Sequence, residues 1–127
     1  MMSESLPLAI NLNKLSMYSL APDEVVFFEW LLFKQSYFGA SYFFYYSRRK
    51  IEEVTRIKRA RLESIVKMFE DMGFLKTKLG FETVSNNQAL YYNVDFKILA
   101  KDDCLCRIVD KDSVLYKDLK AWLKTRK

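Results

Sequence analysis

S-R-R-K-I-E-E-V-T-R-I-K-R-A-R-L-E-S-I-V-K-M-F-E-D-M-G-F-L, residues 47–75, is the stretch on which the reading of this chain turns. Ser47 is a good helix N-cap, because its hydroxyl can accept from the free amides of the first turn. A short helix follows, with Ile51 and Val54 expected on its inward face. Thr55 and Arg56 interrupt it. A second helix is expected from about Lys58 to Met72, where Leu62, Ile65, Val66, Phe69 and Met72 recur at helical spacing and make one buried stripe. Gly73 is the expected C-terminal cap.

Downstream the period changes from helical to alternating. Phe74 to Lys78 reads as a strand, and Leu90 to Phe96 as a second strand rich in β-formers. Asn86-Asn87 lies in the polar loop between them. That loop is too long for a two-residue hairpin turn, so it should protrude. Upstream, Pro22 opens a helix expected to run to about Gln35 or Tyr37. Proline suits the first helical position, and Asp23 and Glu24 complement the positive end of the helix dipole. Val25, Val26, Phe27, Phe28, Trp30, Leu31, Leu32 and Phe33 make this helix apolar almost all round. It therefore needs cover on more than one face, from the chain or from a second copy. Gly39 can end it, and Ser41 to Tyr46 reads as a short aromatic strand.

At the two ends the pattern is weaker. Leu8, Ile10 and Leu12 fit a short strand or a helical turn equally well. In the tail, Leu105, Ile108, Val109, Leu115, Leu119, Trp122 and Leu123 recur at roughly helical spacing. Asp102 to Lys127 is expected as one helix, or as two broken near Asp110 to Asp112.

Charge is concentrated in the same central stretch. The chain has 21 basic and 16 acidic residues, a net charge of +5. Between Ser47 and Lys67 there are eight basic residues and three acids (Glu52, Glu53 and Glu63), so this segment holds the entire excess. Local positive charge of this kind is the footprint of a polyanion partner, although a solvated helix face is the commonplace alternative.

The helix, turn, helix and hairpin of residues 47–96 resemble the winged helix-turn-helix unit of bacterial replication initiators and small transcription regulators. The features that match are the capped short helix, the T-x-I turn at Thr55 to Ile57, the basic start of the second helix, and M-G-F-L before a strand. The resemblance implies a mainly α fold with a small β-hairpin (α+β), here with an extra C-terminal helical segment. Residues 1–127 form a single domain on this reading: 21–96 the winged-helix core, 97–127 a C-terminal helical extension and candidate dimerisation element. Two positions depart from the pattern. Arg56 stands where glycine is frequent, because a left-handed conformation is often needed there. Glu52 stands where a small residue usually lets the helices approach, and Arg56, four residues on, is its expected partner.

An α-helix fits the B-DNA major groove and reads base edges from its first turns. With Leu62, Ile65 and Phe69 inward, Ala60, Glu63, Ser64 and Lys67 point outward. The resemblance then implies base contacts from Arg59, Ala60, Arg61 and Ser64. Phosphate contacts are expected from Arg48, Arg49, Lys58 and Lys67, with Lys76 and Lys78 beside the wing. The wing tip, Glu82 to Gln88, is not basic. The expected partner is double-stranded DNA, bound by a homodimer whose two-fold axis matches two half-sites. The rival reading is a winged helix used for protein interaction or assembly, since fold does not fix function. A third is single-strand stacking on Tyr42, Tyr45 and Tyr46. Eleven of the twenty aromatics lie between Phe27 and Tyr46, and core is the favoured place for most of them.

Other classes find little footing. The chain has no His, three scattered Gly and no phosphate-cradling loop, so no enzyme and no cofactor is expected. Cys104 and Cys106 fall short of the roughly four ligands of a zinc site and are expected to be small semi-buried residues. No stretch approaches the roughly 18 apolar residues of a membrane helix, and Met1 to Pro7 does not read as a signal peptide. No small-molecule site is arguable from the sequence. The default expectation is a cytoplasmic protein.

Overall fold

The computed structural model describes residues 12–81 and 88–126. The strand or turn expected around Leu8 and Ile10, and most of the expected wing tip (residues 82–87), lie outside the described residues. The fold is mixed α+β, a set of helices around a small antiparallel sheet.

Helix α1 (Leu12–Ser16) leads into α2 (Pro22–Phe38), the central helix. Pro22 takes the first helical position, and the Glu24 carboxylate accepts from the Ala21 amide at 2.8 Å. Gly39, at φ 106°, ends the helix in a conformation that favours glycine. Val25, Phe27, Phe28, Trp30 and Leu31 are buried. Their cover comes from this chain: Phe69 and Phe74 pack on Phe28, Phe69 on Phe27, Tyr18 on Phe28, and Phe44 and Tyr46 on Trp30. The all-round apolar character of α2 thus needs no second copy to explain it.

Strand β1 (Phe44–Tyr45) is shorter than the six residues expected. Gln35, fully buried near the end of α2, explains why. Its Nε2 donates to the carbonyls of Gly39 (2.6 Å) and Tyr42 (2.9 Å), and the Tyr42 amide closes a turn on Gly39. Residues 39–42 are held as a turn by these bonds and cannot extend.

Helix α3 (Arg48–Thr55) begins at Ser47, whose Oγ accepts from the Lys50 amide at 3.1 Å. Ile51 is buried, but Val54 is not; it is 50% exposed. The inward place expected for Val54 is filled by Ile57, just past the turn. Arg56 forms that turn in the left-handed conformation (φ 65°), which costs a non-glycine residue about 1 kcal/mol. Helix α4 (Arg59–Asp71) buries Leu62, Ile65, Val66 and Phe69 and leaves Met72 half-buried beyond its end.

Strands β2 (Leu75–Phe81) and β3 (Gln88–Val94) pair antiparallel from Leu75–Val94 to Phe81–Gln88, and β1 adds to the other edge of β3. Phe96 does not belong to β3 as expected. Asp95 accepts from the amides of Lys97 and Ile98 and so caps helix α5 (Phe96–Leu99), which ends the strand.

After α5, the segment from Asp102 onward forms two helices, α6 (Asp102–Leu105) and α7 (Val114–Lys124), the second of the two expected arrangements, with a break that spans Asp110 to Asp112. Between α6 and α7 the backbone turns outward to partners elsewhere. Ser19 donates to the Ile108 carbonyl at 2.8 Å and Asp110 to the Met17 carbonyl at 2.7 Å. Backbone groups satisfied this way have no need of a helix. Leu105, Ile108, Val109, Tyr116, Leu119 and Leu123 join the same core as α2. The tail therefore shares the core of α2, which was one of the two covers expected for its apolar stripe, the other being a partner subunit. The two cysteines, both expected to be semi-buried, divide: Cys104 is buried, and burial pushes its thiol pKa up, whereas Cys106 is exposed.

Candidate nucleic-acid interface

The outward face of α4 is made by what its core stripe leaves over. Leu62, Ile65, Val66 and Phe69 point in, so Arg59, Ala60, Glu63, Ser64 and Lys67 are exposed. Ala60 and Ser64 are small, which leaves room for close approach to this face. Arg48, Arg49, Lys50, Arg56 and Lys58 lie on α3 and its turn beside it.

Most of these cations have a carboxylate nearby. Arg48 and Arg59 share the same Glu63 oxygen, at 2.9 and 3.3 Å. Arg49 sits 3.6 Å from Glu53, Lys58 3.6 Å from Glu52, and Lys67 3.1 Å from Asp71. Arg49, Lys58, Arg59 and Lys67 all keep more than 70% of their side chains in solvent. Pairs so exposed are worth about 0–1 kcal/mol each, so a phosphate can displace the carboxylate at little cost. The predicted Glu52–Arg56 pair is replaced by Glu52–Lys58. The left-handed turn takes Arg56 out of the helical row in which a residue meets its neighbour four positions away. Glu52 is only part-exposed at the surface and does not sit between the helices.

Lys50 and Arg56 were absent from the expected contacts. Both are exposed, and neither has an ion-pair partner among the described residues. The signal for Arg56 was its place in the turn, where a side chain leaves the helical register.

Arg61 is the main correction. It was expected at base edges, but its guanidinium faces α2. Nε donates to Asp23 at 2.7 Å, and Nη2 donates to Asp23 at 3.0 Å and Glu24 at 2.8 Å. Four residues of sequence cannot show this pairing, because the acids lie 38 and 37 positions away. Arg61 is a buttress that joins α4 to the start of α2. Its hydrogen bonds are the largest influence on Asp23 and hold that carboxyl below the usual range, with partial burial opposing them. A carboxyl depressed on folding adds stability above its unfolded pKa, about 3.9, which is lost as pH falls through the lower folded value. Arg61→Gln is expected to cost about 1 kcal/mol at pH 7, the half-exposed setting having been allowed for. The deficit should shrink in urea titrations carried out below the unfolded carboxyl's pKa of about 3.9, as pH falls toward the lower folded value. An equal deficit at both pH values would mean that packing, not the ion pair, is what the substitution removes.

Lys76 and Lys78 are also displaced from the expected site. Leu75 and Thr77 face α4, Thr77 donating to Glu70, so alternation turns Lys76 and Lys78 to the opposite face of the sheet. There Lys76 bonds Asp95 at 3.0 Å, and Lys78 lies 4.3 Å from the centre of the Phe43 ring.

The tyrosines do not form a common platform. Tyr42 stacks on Phe38 at 5.5 Å, Tyr45 packs on Tyr91 at 5.6 Å, and Tyr46 meets Trp30 edge-on at 5.2 Å with Lys34 over its ring. Tyr45 and Tyr46 are half-buried, and only Tyr42 is largely exposed.

Among the described residues, no group of three or more His, Cys, Asp or Glu side chains is placed to hold a metal ion, and no helix is long and apolar enough to cross a membrane. No family model, curated protein or solved structure gives a significant match to this chain. Its function is therefore read from its own residues.

Proposed function

We propose that this chain is a winged helix-turn-helix protein that binds double-stranded DNA, with α4 in the major groove. The observation that carries the reading is the exposed face of α4. It presents Arg59, Ala60, Ser64 and Lys67 clear of the core, beside five further cations on α3 and its turn. The order of helix, short strand, two helices and antiparallel hairpin fits the same fold. A helix of 13 residues is about 20 Å long, enough to lie along the groove.

In this reading Arg59, Ala60 and Ser64 face base edges. Arg48, Arg49, Lys50, Arg56, Lys58 and Lys67 meet phosphates. Arg61 sets the angle of α4 through Asp23 and Glu24 and touches no base. A homodimer would place two copies of α4 on successive half-sites. The role fits transcriptional control or replication initiation.

Binding of a random-sequence duplex pool, followed from about 50 to 200 mM salt, tests the proposal. Six phosphate contacts predict a loss of affinity on the order of 10³-fold over that range, through counterion release. The double substitution Lys50→Ala/Arg56→Ala is expected to lower the slope of log affinity against log salt by about 2. Arg59→Ala should relax selectivity at one base by about 1–3 kcal/mol. A wild type that ignores duplex DNA at the lowest salt defeats the reading.

One observation favours the second reading, an assembly module. Arg61 is committed within the chain, and the cations of α4 and α3 are mostly paired with neighbouring carboxylates. The same titration separates the two, since an assembly surface gives no steep salt dependence with DNA.

A further inference from the structure

A second concavity lies away from α3 and α4, between α2 and α7, with Lys14 and Tyr18 at one end. Its volume is about 410 Å³, within the range of small-molecule sites. Leu32, Phe33, Leu119 and Trp122 form most of its wall, so its surface is chiefly apolar.

Among the described residues, the charges around it do not cancel. Glu29 is buried, 3% exposed, and its carboxylate is satisfied: Tyr18 donates to it at 2.6 Å, and Lys14 lies 2.8 Å away. Arg126 has a different setting. Its guanidinium lies 4.2 Å from the centre of the Trp122 ring, and its Nε is buried with no hydrogen-bond acceptor. That Nε is itself covered, so an anion entering the pocket would meet the part of the guanidinium that lines it, a charged group with no acceptor of its own among the described residues. Among the described residues, Arg126 has no carboxylate partner. The pocket thus combines an apolar wall with one unmatched positive charge at its edge.

We propose that this pocket binds a small amphipathic monocarboxylate, with its apolar body between Phe33 and Trp122 and its carboxylate on Arg126. A planar guanidinium suits a carboxylate, because its donors match the two oxygens in one plane. Because Glu29 is paired with Lys14, Arg126 is the one unmatched charge among the described lining residues, so the second carboxylate of a dicarboxylate would find no partner. The proposal does not rest on the DNA-binding reading and uses none of its residues.

Calorimetric titration of the full chain with 4-phenylbutyrate, octanoate, 4-phenylbutanamide and glutarate tests it. Saturable binding of the two monocarboxylates is expected. The amide should bind about tenfold more weakly, since it loses the charge-assisted bond, and glutarate should not bind. Arg126→Gln should bring 4-phenylbutyrate down to the affinity of the amide and leave the amide itself unchanged. That side chain is part-exposed, so the variant keeps the fold. The indole proton signal of Trp122, assigned with Trp122→Phe, should shift on adding 4-phenylbutyrate. Equal affinities for acid and amide would overturn the proposal and leave only an apolar groove. Failure of both monocarboxylates to saturate, or binding that leaves Trp122 unperturbed, would overturn it as well.

Discussion

Phe69→Ala is expected to destabilise the protein by about 3–5 kcal/mol, the range for removing a large aromatic from a close-packed core. Phe69 is fully buried on the inward side of α4. Its ring lies nearly parallel to Phe27 at 6.1 Å, edge-on to Phe28 at 6.1 Å, and against Phe74 at 5.1 Å. One side chain therefore joins α4, α2 and the start of β2. Deleting it leaves a cavity among rings too rigid to collapse into it, and removes aromatic contacts worth about 0.5–1.5 kcal/mol each beyond their burial. Single domains are stable by about 5–15 kcal/mol, so the loss is a third or more of the total in most cases. Urea denaturation of wild type, Phe69→Leu and Phe69→Ala measures it, with the leucine variant expected in between. A loss below about 1.5 kcal/mol would mean that α4 does not pack on α2 through this residue.

Gln35→Ala should cost about 2 kcal/mol by a different route, through a buried amide left without its partner. Gln35 is completely buried. Its Oε1 accepts from the Val94 amide at 2.6 Å and from Asn93 at 3.3 Å, while Nε2 donates to Gly39 and Tyr42. One amide side chain thus ties the end of α2 and the following turn to β3. Alanine leaves the Val94 amide buried and unpaired, at about 1–3 kcal/mol, whereas the Gly39 carbonyl keeps the Tyr42 amide. Asn93 still reaches the Tyr42 carbonyl at 3.1 Å, which limits the damage there. Hydrogen exchange gives the specific sign: Val94 should lose more protection than the amides of α4. Uniform loss across the molecule would point to general destabilisation instead.

The first prediction bears on function as well, since Phe69 supports the proposed DNA-reading face of α4 from behind without taking part in it. Arg61 does the same at the start of α4, where its bonds to Asp23 and Glu24 replace the base contact expected of it. A variant that weakens DNA binding by loosening this support should do so at all sequences alike. Loss of Arg59 should instead change which sequences are preferred.

Much of the fold could be read along the chain because local chemistry decides it. Pro22, Ser47 and Gly73 mark helix boundaries through fixed φ, a capping hydroxyl and a positive φ, none of which needs a distant residue. The stripe of Leu62, Ile65, Val66 and Phe69 follows from 3.6 residues per turn, and with it the exposed face of α4. The interruption at Arg56 was legible for the same reason.

What the chain order could not supply were contacts between residues far apart in it. The shortness of β1 depends on Gln35, which captures the Gly39 and Tyr42 carbonyls while held to Val94, 59 positions away; the Asp95 cap that ends β3 is by contrast local, two and three residues from the amides it accepts. The gap between α6 and α7 goes with backbone bonds between residues 17–19 and 108–110. Whether an exposed-looking cation is available is of the same kind. Arg59 and Arg61 are two positions apart on one helix, yet one faces solvent and the other meets two acids brought up by α2. Periodicity assigns a residue to a side of its own helix, whereas only packing determines what stands opposite that side.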